Sequence, residues 1–182
     1  MFRVSRNGEV PNDGWDLLLP GPAALEFLDR LLALGAVPLG EASRETLRIE
    51  RGRPSFGKDM DSDTIPLEAG IRRRAIDDGK GCYVGQEVVI RIRDRGRVNK
   101  ELRGLLLGDV PVPSSGQELY QAGSGKAVGR VTSAVASPAF GQTIALGYLQ
   151  RSVAPGDVVR LAAEDGPEAH VRALGDGGWI LS

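Results

Sequence analysis

The spacing of apolar positions changes twice along the chain, and each change marks a different kind of element. In the first stretch, to about Gly79, strands and helices alternate. Trp15-Asp16-Leu17-Leu18-Leu19 reads as a short buried strand ended by Pro20. Pro22 fits the first turn of a helix that carries Leu25, Leu28, Leu31 and Leu32 on one stripe. Gly35 suits its end, because a left-handed residue costs little there. A second helix is expected near Ser43, an N-cap residue with Thr46 three positions on, and directs Leu47 and Ile49 inward. From Val84 to Gly96 the pattern is ambiguous. Ile90-Arg91-Ile92-Arg93 alternates like a strand, while Val84, Val88 and Ile92 keep helical spacing; we favour a helix opening near Gly85 and ending at Gly96. From Glu101 onward the rhythm becomes strand and turn, with runs at Leu102–Leu107, Gln117–Tyr120, Lys126–Val135, Thr143–Gln150, Val158–Ala162 and Ala169–Leu174. Short strands so regularly spaced predict a small antiparallel barrel or sandwich. The expected fold class is therefore α+β, followed by that small antiparallel β-barrel.

Composition narrows the possibilities. The 182 residues are 41% hydrophobic and 26% charged, which excludes wholesale disorder, collagen and coiled coil. One Cys and one His leave no disulfide framework and no self-contained zinc site. No run approaches the roughly 18 apolar residues that span a bilayer, and MFRVSRNGEV has no apolar signal core. The expected setting is cytoplasmic, with no membrane partner. The net charge of −1 conceals a basic block, with 10 basic against 5 acidic side chains in residues 71–103. This Arg72–Arg103 segment either attracts an anion such as phosphate, polyglutamate or nucleic acid, or is simply a solvated face.

Three apparent motifs fail. Asp59-Met60-Asp61-Ser62-Asp63 imitates a calcium loop, but Thr64 and Gly70 stand where Gly and Glu belong, so an Asp-rich turn is expected. Gly123-Ser124-Gly125-Lys126 resembles a phosphate loop, yet Tyr120 and Ala127 replace its first Gly and its Ser/Thr, which leaves a hairpin turn. His170 stands alone in a strand without a serine elbow and reads as structural.

Cys82 differs in kind. It sits between Gly81 and Tyr83 at the expected helix start, with Lys80 two residues before. Helix N–H groups and an ammonium both favour thiolate and can lower a cysteine pKa from about 8.5 to between 3.5 and 7.5. The competing reading is a small buried apolar Cys.

Lys80-Gly81-Cys82-Tyr83-Val84-Gly85-Gln86-Glu87 resembles the K-G-C-Y-x-G-Q-E signature of the YgfZ-type folate-binding, tRNA-modifying proteins, relatives of the glycine-cleavage T-protein (aminomethyltransferase). Arg95-Gly96-Arg97-Val98-Asn99-Lys100 is similar to that family's continuation. Residues 43–54 and then Gly57-Lys58-Asp59-Met60-Asp61 resemble superfamily motifs upstream. Gly129-Arg130-Val131-Thr132-Ser133, Ser137-Pro138 and Ile144-Ala145-Leu146-Gly147-Tyr148 resemble its C-terminal barrel. The resemblance implies a partial ferredoxin-like/aminomethyltransferase folate-binding domain over residues 1–79, a Cys motif loop and helix over 80–100, and a barrel over 101–182. It implies tetrahydrofolate as cofactor.

Residue by residue, Cys82 becomes the functional cysteine, with Lys80, Gln86 and Glu87 beside it and Gly81 and Gly85 shaping the loop. Arg44 falls where the superfamily faces folate, and its guanidinium suits a pterin face or a carboxylate; the alternative is an ordinary surface arginine. Tyr83 belongs to the motif, and Trp15 offers an aromatic face or, as we favour, core packing. Asn12 stands where a folate-contacting Glu falls in the T-protein, which counts against the transferase. The resemblance also implies that the chain begins inside the family's middle domain, leaving the N-terminal domain and its catalytic Asp outside. The expected function is support of iron–sulfur cluster assembly or repair and tRNA modification. Its partners would be iron–sulfur enzymes or assembly proteins, and tRNA through the Arg72–Arg103 segment. Whether the chain is an enzyme is left open. The alternatives are an aminomethyltransferase passing a one-carbon unit to tetrahydrofolate, an RNA-binding module, and an interaction module.

Overall fold

Strand β1 (Arg3–Asn7) pairs antiparallel with β2 (Gly14–Leu18), in a register that sets Arg6 opposite Trp15 and Val4 opposite Leu17. The computed structural model describes residues 3–7, 14–77, 79–87, 89–90, 98–175 and 178–180, and the chain divides into two units, Met1–Arg48 and Ile49–Ser182. In the first unit, helix α1 (Gly21–Ala33) starts with Pro22 in its opening turn and ends where Gly35 takes φ +89°. Both signals were legible in the sequence. The apolar stripe of α1 forms as expected, but the helix buries none of its residues; Leu25, Leu28 and Leu32 are exposed.

Helix α2 (Glu41–Glu50) begins two residues before Ser43, so Ser43 lies inside it rather than capping it. Thr46 donates its hydroxyl to the carbonyl of Ala42 one turn back, a local bond that spends the side chain within the helix. Arg48 is buried and held by Glu45 through two bonds, Nε to Oε2 at 2.9 Å and Nη2 to Oε1 at 2.7 Å. Ile49, expected inward, is fully buried.

The second unit is built on a closed antiparallel barrel. Its strands are β3 (Lys100–Gly108), β4 (Glu118–Gln121), β5 (Ala127–Ser137), β6 (Gln142–Gln150), β7 (Val158–Leu161) and β8 (Glu168–Gly175). The order β3-β6-β5-β4-β7-β8 closes because β8 also pairs with β3. Closure removes the exposed edges that an open sheet would carry. A short helix, α3 (Arg72–Ala75), precedes the barrel, and a three-residue strand, β9 (Gly178–Ile180), pairs with the end of β8.

Strand β6 shows how two cores arise from one alternation. Ala145 and Leu149 point into the barrel among Leu105, Leu119, Val131 and Val171. Ile144, Leu146 and Tyr148 point to the opposite face and pack with Ile49 and Leu102. That outer cluster is sealed by Trp179, whose indole N–H donates to the carbonyl of Ile49 at 2.9 Å and whose ring lies 5.1 Å from that of Phe140. Glu50 accepts from the Ser137 hydroxyl and from the Ala139 N–H, so the end of α2 is fixed to the β5–β6 turn.

Position 132 breaks the regular strand. Val131 pairs with Gly147 and Ser133 with Leu146, which leaves Thr132 as the extra residue of a β-bulge. Successive side chains of a regular strand face opposite ways, but here Thr132 and Ser133 both donate their hydroxyls to Oδ1 of buried Asp59. Oδ2 of the same carboxylate accepts the Ser55 N–H at 2.9 Å. The Asp-rich turn is thereby anchored to the barrel wall. The Gly123–Lys126 segment joins β4 to β5 as the expected hairpin turn.

Candidate functional site

The cysteine motif lies on an exposed loop. Cys82 is exposed, as its glycine-flanked position suggests, and is not packed in hydrocarbon. Helical residues begin at Gln86, four residues later, so the sulfur lies outside the first turn, where the effect of a helix dipole fades. The Lys80 ammonium sits 4.7 Å from the centre of the Tyr83 ring, a cation–π contact. Gly85 adopts φ +85°, a left-handed turn that glycine makes at little cost, and the Gln86 N–H closes it by donating to the Tyr83 carbonyl at 3.2 Å. Gly81 and Glu87 are exposed beside the loop, and Gln86 is half-buried. The expected helix end at Gly96 lies outside the described residues.

Tyr83 and Gly85 line one side of a hollow of about 310 Å³ whose other walls are Thr64, Pro66, Ile76 and Val89. Its mouth is marked by Val84, which is fully exposed. The thiol is therefore expected to react with iodoacetamide in the folded chain within a fewfold of its rate in urea, as an unshielded cysteine does. Protection by an order of magnitude, read by mass spectrometry, would contradict its exposure.

Two further expected residues belong to the first unit. Arg44 projects from α2 and is paired with Glu41 at 3.1 Å, both side chains being more than half exposed. Trp15 on β2 is 56% exposed. The expectation of core packing for this indole is therefore corrected: β2 belongs to a two-stranded sheet, and Trp15 on it is more than half exposed. Asn12 lies outside the described residues. An exposed guanidinium and an exposed indole are the chemistry that a pterin with a carboxylate tail would use.

A larger hollow, of about 510 Å³, opens between the anchored 57–64 turn and the barrel wall, lined by Lys58, Asp61, Lys100, Arg130, Thr132 and Tyr148 among others. None of these was singled out from the sequence as a site residue, although several fall within the quoted motif strings. Their signal was the placement of Arg130 directly opposite Tyr148 in the β5–β6 register, which only the paired structure reveals. Among the described residues no group of three or more His, Cys, Asp or Glu is arranged to hold a metal ion. No described helix is long and apolar enough to cross a membrane.

Comparison with known proteins corrects the functional expectation. Residues 1–77 match the GCVT N-terminal domain, and residues 100–174 match the glycine cleavage T-protein C-terminal barrel domain. A protein named aminomethyltransferase from Thermosynechococcus vestitus is 38% identical over 80% of this chain and 39% of its own length. A protein of the same name from Neisseria meningitidis is 36% identical over 94% of this chain and 45% of its own. The crystal structure of glycine cleavage system aminomethyltransferase T from Bartonella henselae superposes with a TM-score of 0.80 at 25% identity, covering 91% of this chain and 46% of that one. The chain thus spans less than half the length of these relatives. The YgfZ-type reading, with iron–sulfur assembly or repair and tRNA modification as its function, took its specificity from the string around Cys82 and its Arg95–Lys100 continuation. Likeness to aminomethyltransferases runs through nearly the whole chain and overturns it. With the N-terminal domain and the C-terminal barrel both matched, in that order, the chain belongs to the glycine cleavage T-protein family.

Proposed function

We propose that this chain serves in the transfer of an aminomethyl-derived one-carbon unit to tetrahydrofolate. The observation that supports this most is likeness to aminomethyltransferases along 80–94% of the chain, in sequence and in fold together. Tetrahydrofolate, when bound, supplies the nitrogen that accepts the one-carbon unit. The residues of this chain that suit its binding are Arg44, whose planar guanidinium pairs with a carboxylate or stacks on a pterin, and Trp15, an aromatic side chain more than half exposed. The loop with Lys80, Cys82, Tyr83, Gln86 and Glu87 is a second candidate surface, tested by substitution of Cys82.

The test has two readouts on the full chain. Calorimetric titration with tetrahydrofolate is expected to saturate, and Arg44→Ala to weaken it about tenfold, the worth of one charge-assisted bond. Arg44→Lys, which keeps the charge but loses the planar fork, should fall between the two. Formation of methylene-tetrahydrofolate from an aminomethyl donor, followed by absorbance, reads the transfer itself. A chain that neither binds tetrahydrofolate nor forms this product would overturn the proposal.

A further inference from the structure

The hydroxyl of Tyr148 is sealed from solvent and has no hydrogen-bond partner among the described residues, in a side chain that is 6% exposed. A buried polar group left unpaired costs about 1–3 kcal/mol, and such groups in folded proteins are nearly always satisfied by something. Tyr148 lines the 510 Å³ hollow and also a neighbouring one of about 400 Å³, and Lys100, Gly116 and Arg130 are common to both. Tyr148 thus belongs to the walls of two neighbouring spaces, with its hydroxyl behind them.

Three cations, Lys58, Lys100 and Arg130, and three acids, Asp59, Asp61 and Asp63, line the 510 Å³ hollow. Arg130 stands directly across the β5–β6 ladder, is exposed, and is paired with no carboxylate among the described residues. The Lys100 ammonium lies 5.1 Å from the centre of the Tyr148 ring and 3.7 Å from Glu68, with which it forms a long ion pair. Burial first, then the charges of Asp59, Glu68 and Asp61, holds the phenol well above its usual range, so it remains a proton donor. Two acids of the same hollow are already engaged. Asp59 takes the Thr132 and Ser133 hydroxyls, and Asp61 takes the Thr64 hydroxyl at 2.7 Å and the Asp63 N–H at 3.1 Å. The donors that come together from β3, β5 and β6 are the Lys100 ammonium, shared with Glu68, the Arg130 guanidinium and the Tyr148 hydroxyl.

We propose that this hollow on the barrel wall binds a small organic anion by an oxygen-rich end, a carboxylate or a phosphate, which accepts from the Tyr148 hydroxyl and the Arg130 guanidinium beside the Lys100 ammonium. The hollow's volume admits a ligand larger than the anionic group alone. Asp63, which also lines it, disfavours a ligand charged along its whole length. This site uses none of the residues assigned to tetrahydrofolate and stands or falls apart from the transfer reading.

Two-dimensional NMR of the full chain, titrated separately with inorganic phosphate and with acetate at an ionic strength fixed by sodium chloride, tests it. Saturable shifts are expected at the Arg130 Nε–H signal and at the Gly116 and Gly129 amides, and the arm that saturates at lower concentration identifies the anion. Arg130→Gln and Tyr148→Phe should each raise the dissociation constant at least fivefold while the rest of the spectrum stays that of the folded chain. Shifts that only follow ionic strength in both arms would overturn the site. So would unchanged affinity in Tyr148→Phe, which would mean that nothing but water meets the hydroxyl. Should Tyr148→Phe fold poorly, Lys100→Gln with Arg130→Gln is the second variant pair, and undiminished binding there is equally fatal.

Discussion

Asp59→Ala is expected to destabilise the barrel unit by about 3 kcal/mol, a fall in Tm of roughly 10 °C for a fold of this size. The carboxylate is buried and accepts from groups of two segments, among them the Thr132 and Ser133 hydroxyls and the Ser55 N–H. Truncation takes this acceptor from all of them, although the Thr132 hydroxyl also reaches the Leu146 carbonyl at 3.2 Å, and a buried group left unsatisfied costs about 1–3 kcal/mol. Thr132→Ala and Ser133→Ala remove one donor and keep the acceptor occupied, so each should cost only about 1 kcal/mol. Asp59→Asn keeps one oxygen for the hydroxyls but turns an N–H toward that of Ser55, and should fall between. Urea unfolding of the four variants checks the order. An Asp59→Ala midpoint within the error of the parent would show that the turn is not held through this carboxylate.

That anchor marks where sequence reading reached its end. The Asp-rich turn was legible as a turn because its calcium-loop pattern fails at Thr64 and Gly70. Its partner was not legible, because Thr132 and Ser133 are far along the chain and meet Asp59 only through a bulge that alternation does not foresee. The six barrel strands were visible because their apolar positions repeat every second residue between Gly, Pro and Asp breaks. Strands β1 and β9 were not. Arg3–Asn7 has one apolar residue, and Gly178–Ile180 is three residues long.

The candidate site divides in the same way. A bend at Gly81–Gly85 and an accessible Cys82 follow from glycine placement, and both are present. The cation–π contact of Lys80 with Tyr83 and the exposure of Trp15 depend on what the neighbouring elements cover, which no local pattern encodes. The misreading of function had a related cause. The Cys82 string and its Arg95–Lys100 continuation were weighted above the superfamily strings spread along the chain, and the evenly spread likeness carries more positions.

Gly129→Ala is expected to be the other severe variant, for a steric reason that can be separated from backbone conformation. A Cβ at position 129 would collide with the Tyr148 carbonyl oxygen and meet Leu149 Cδ2 at 2.7 Å and Leu149 Cα at 3.1 Å. Across the same ladder, a Cβ on Gly147 would meet the Arg130 carbonyl oxygen at 2.7 Å, so the two glycines together let β5 and β6 approach where Arg130 faces Tyr148. Gly129 has no positive φ, and the obstacle is the partner strand's backbone, which cannot retreat without opening the ladder. Overpacking of this kind costs about 3 kcal/mol, at the upper end of its usual range. Leu149→Ala in the same chain removes one of the contacts and should not restore stability, since the carbonyl oxygen stays in place. Gly21→Ala supplies the contrast: the position is in the first turn of α1 with nothing within 4 Å, and alanine there should be neutral or stabilising by up to about 1 kcal/mol. If Gly129→Ala and Gly21→Ala unfold at the same urea concentration as the parent, the strands stand farther apart at this point than the close approach requires, and the placement of Arg130 against Tyr148 loses its structural cause.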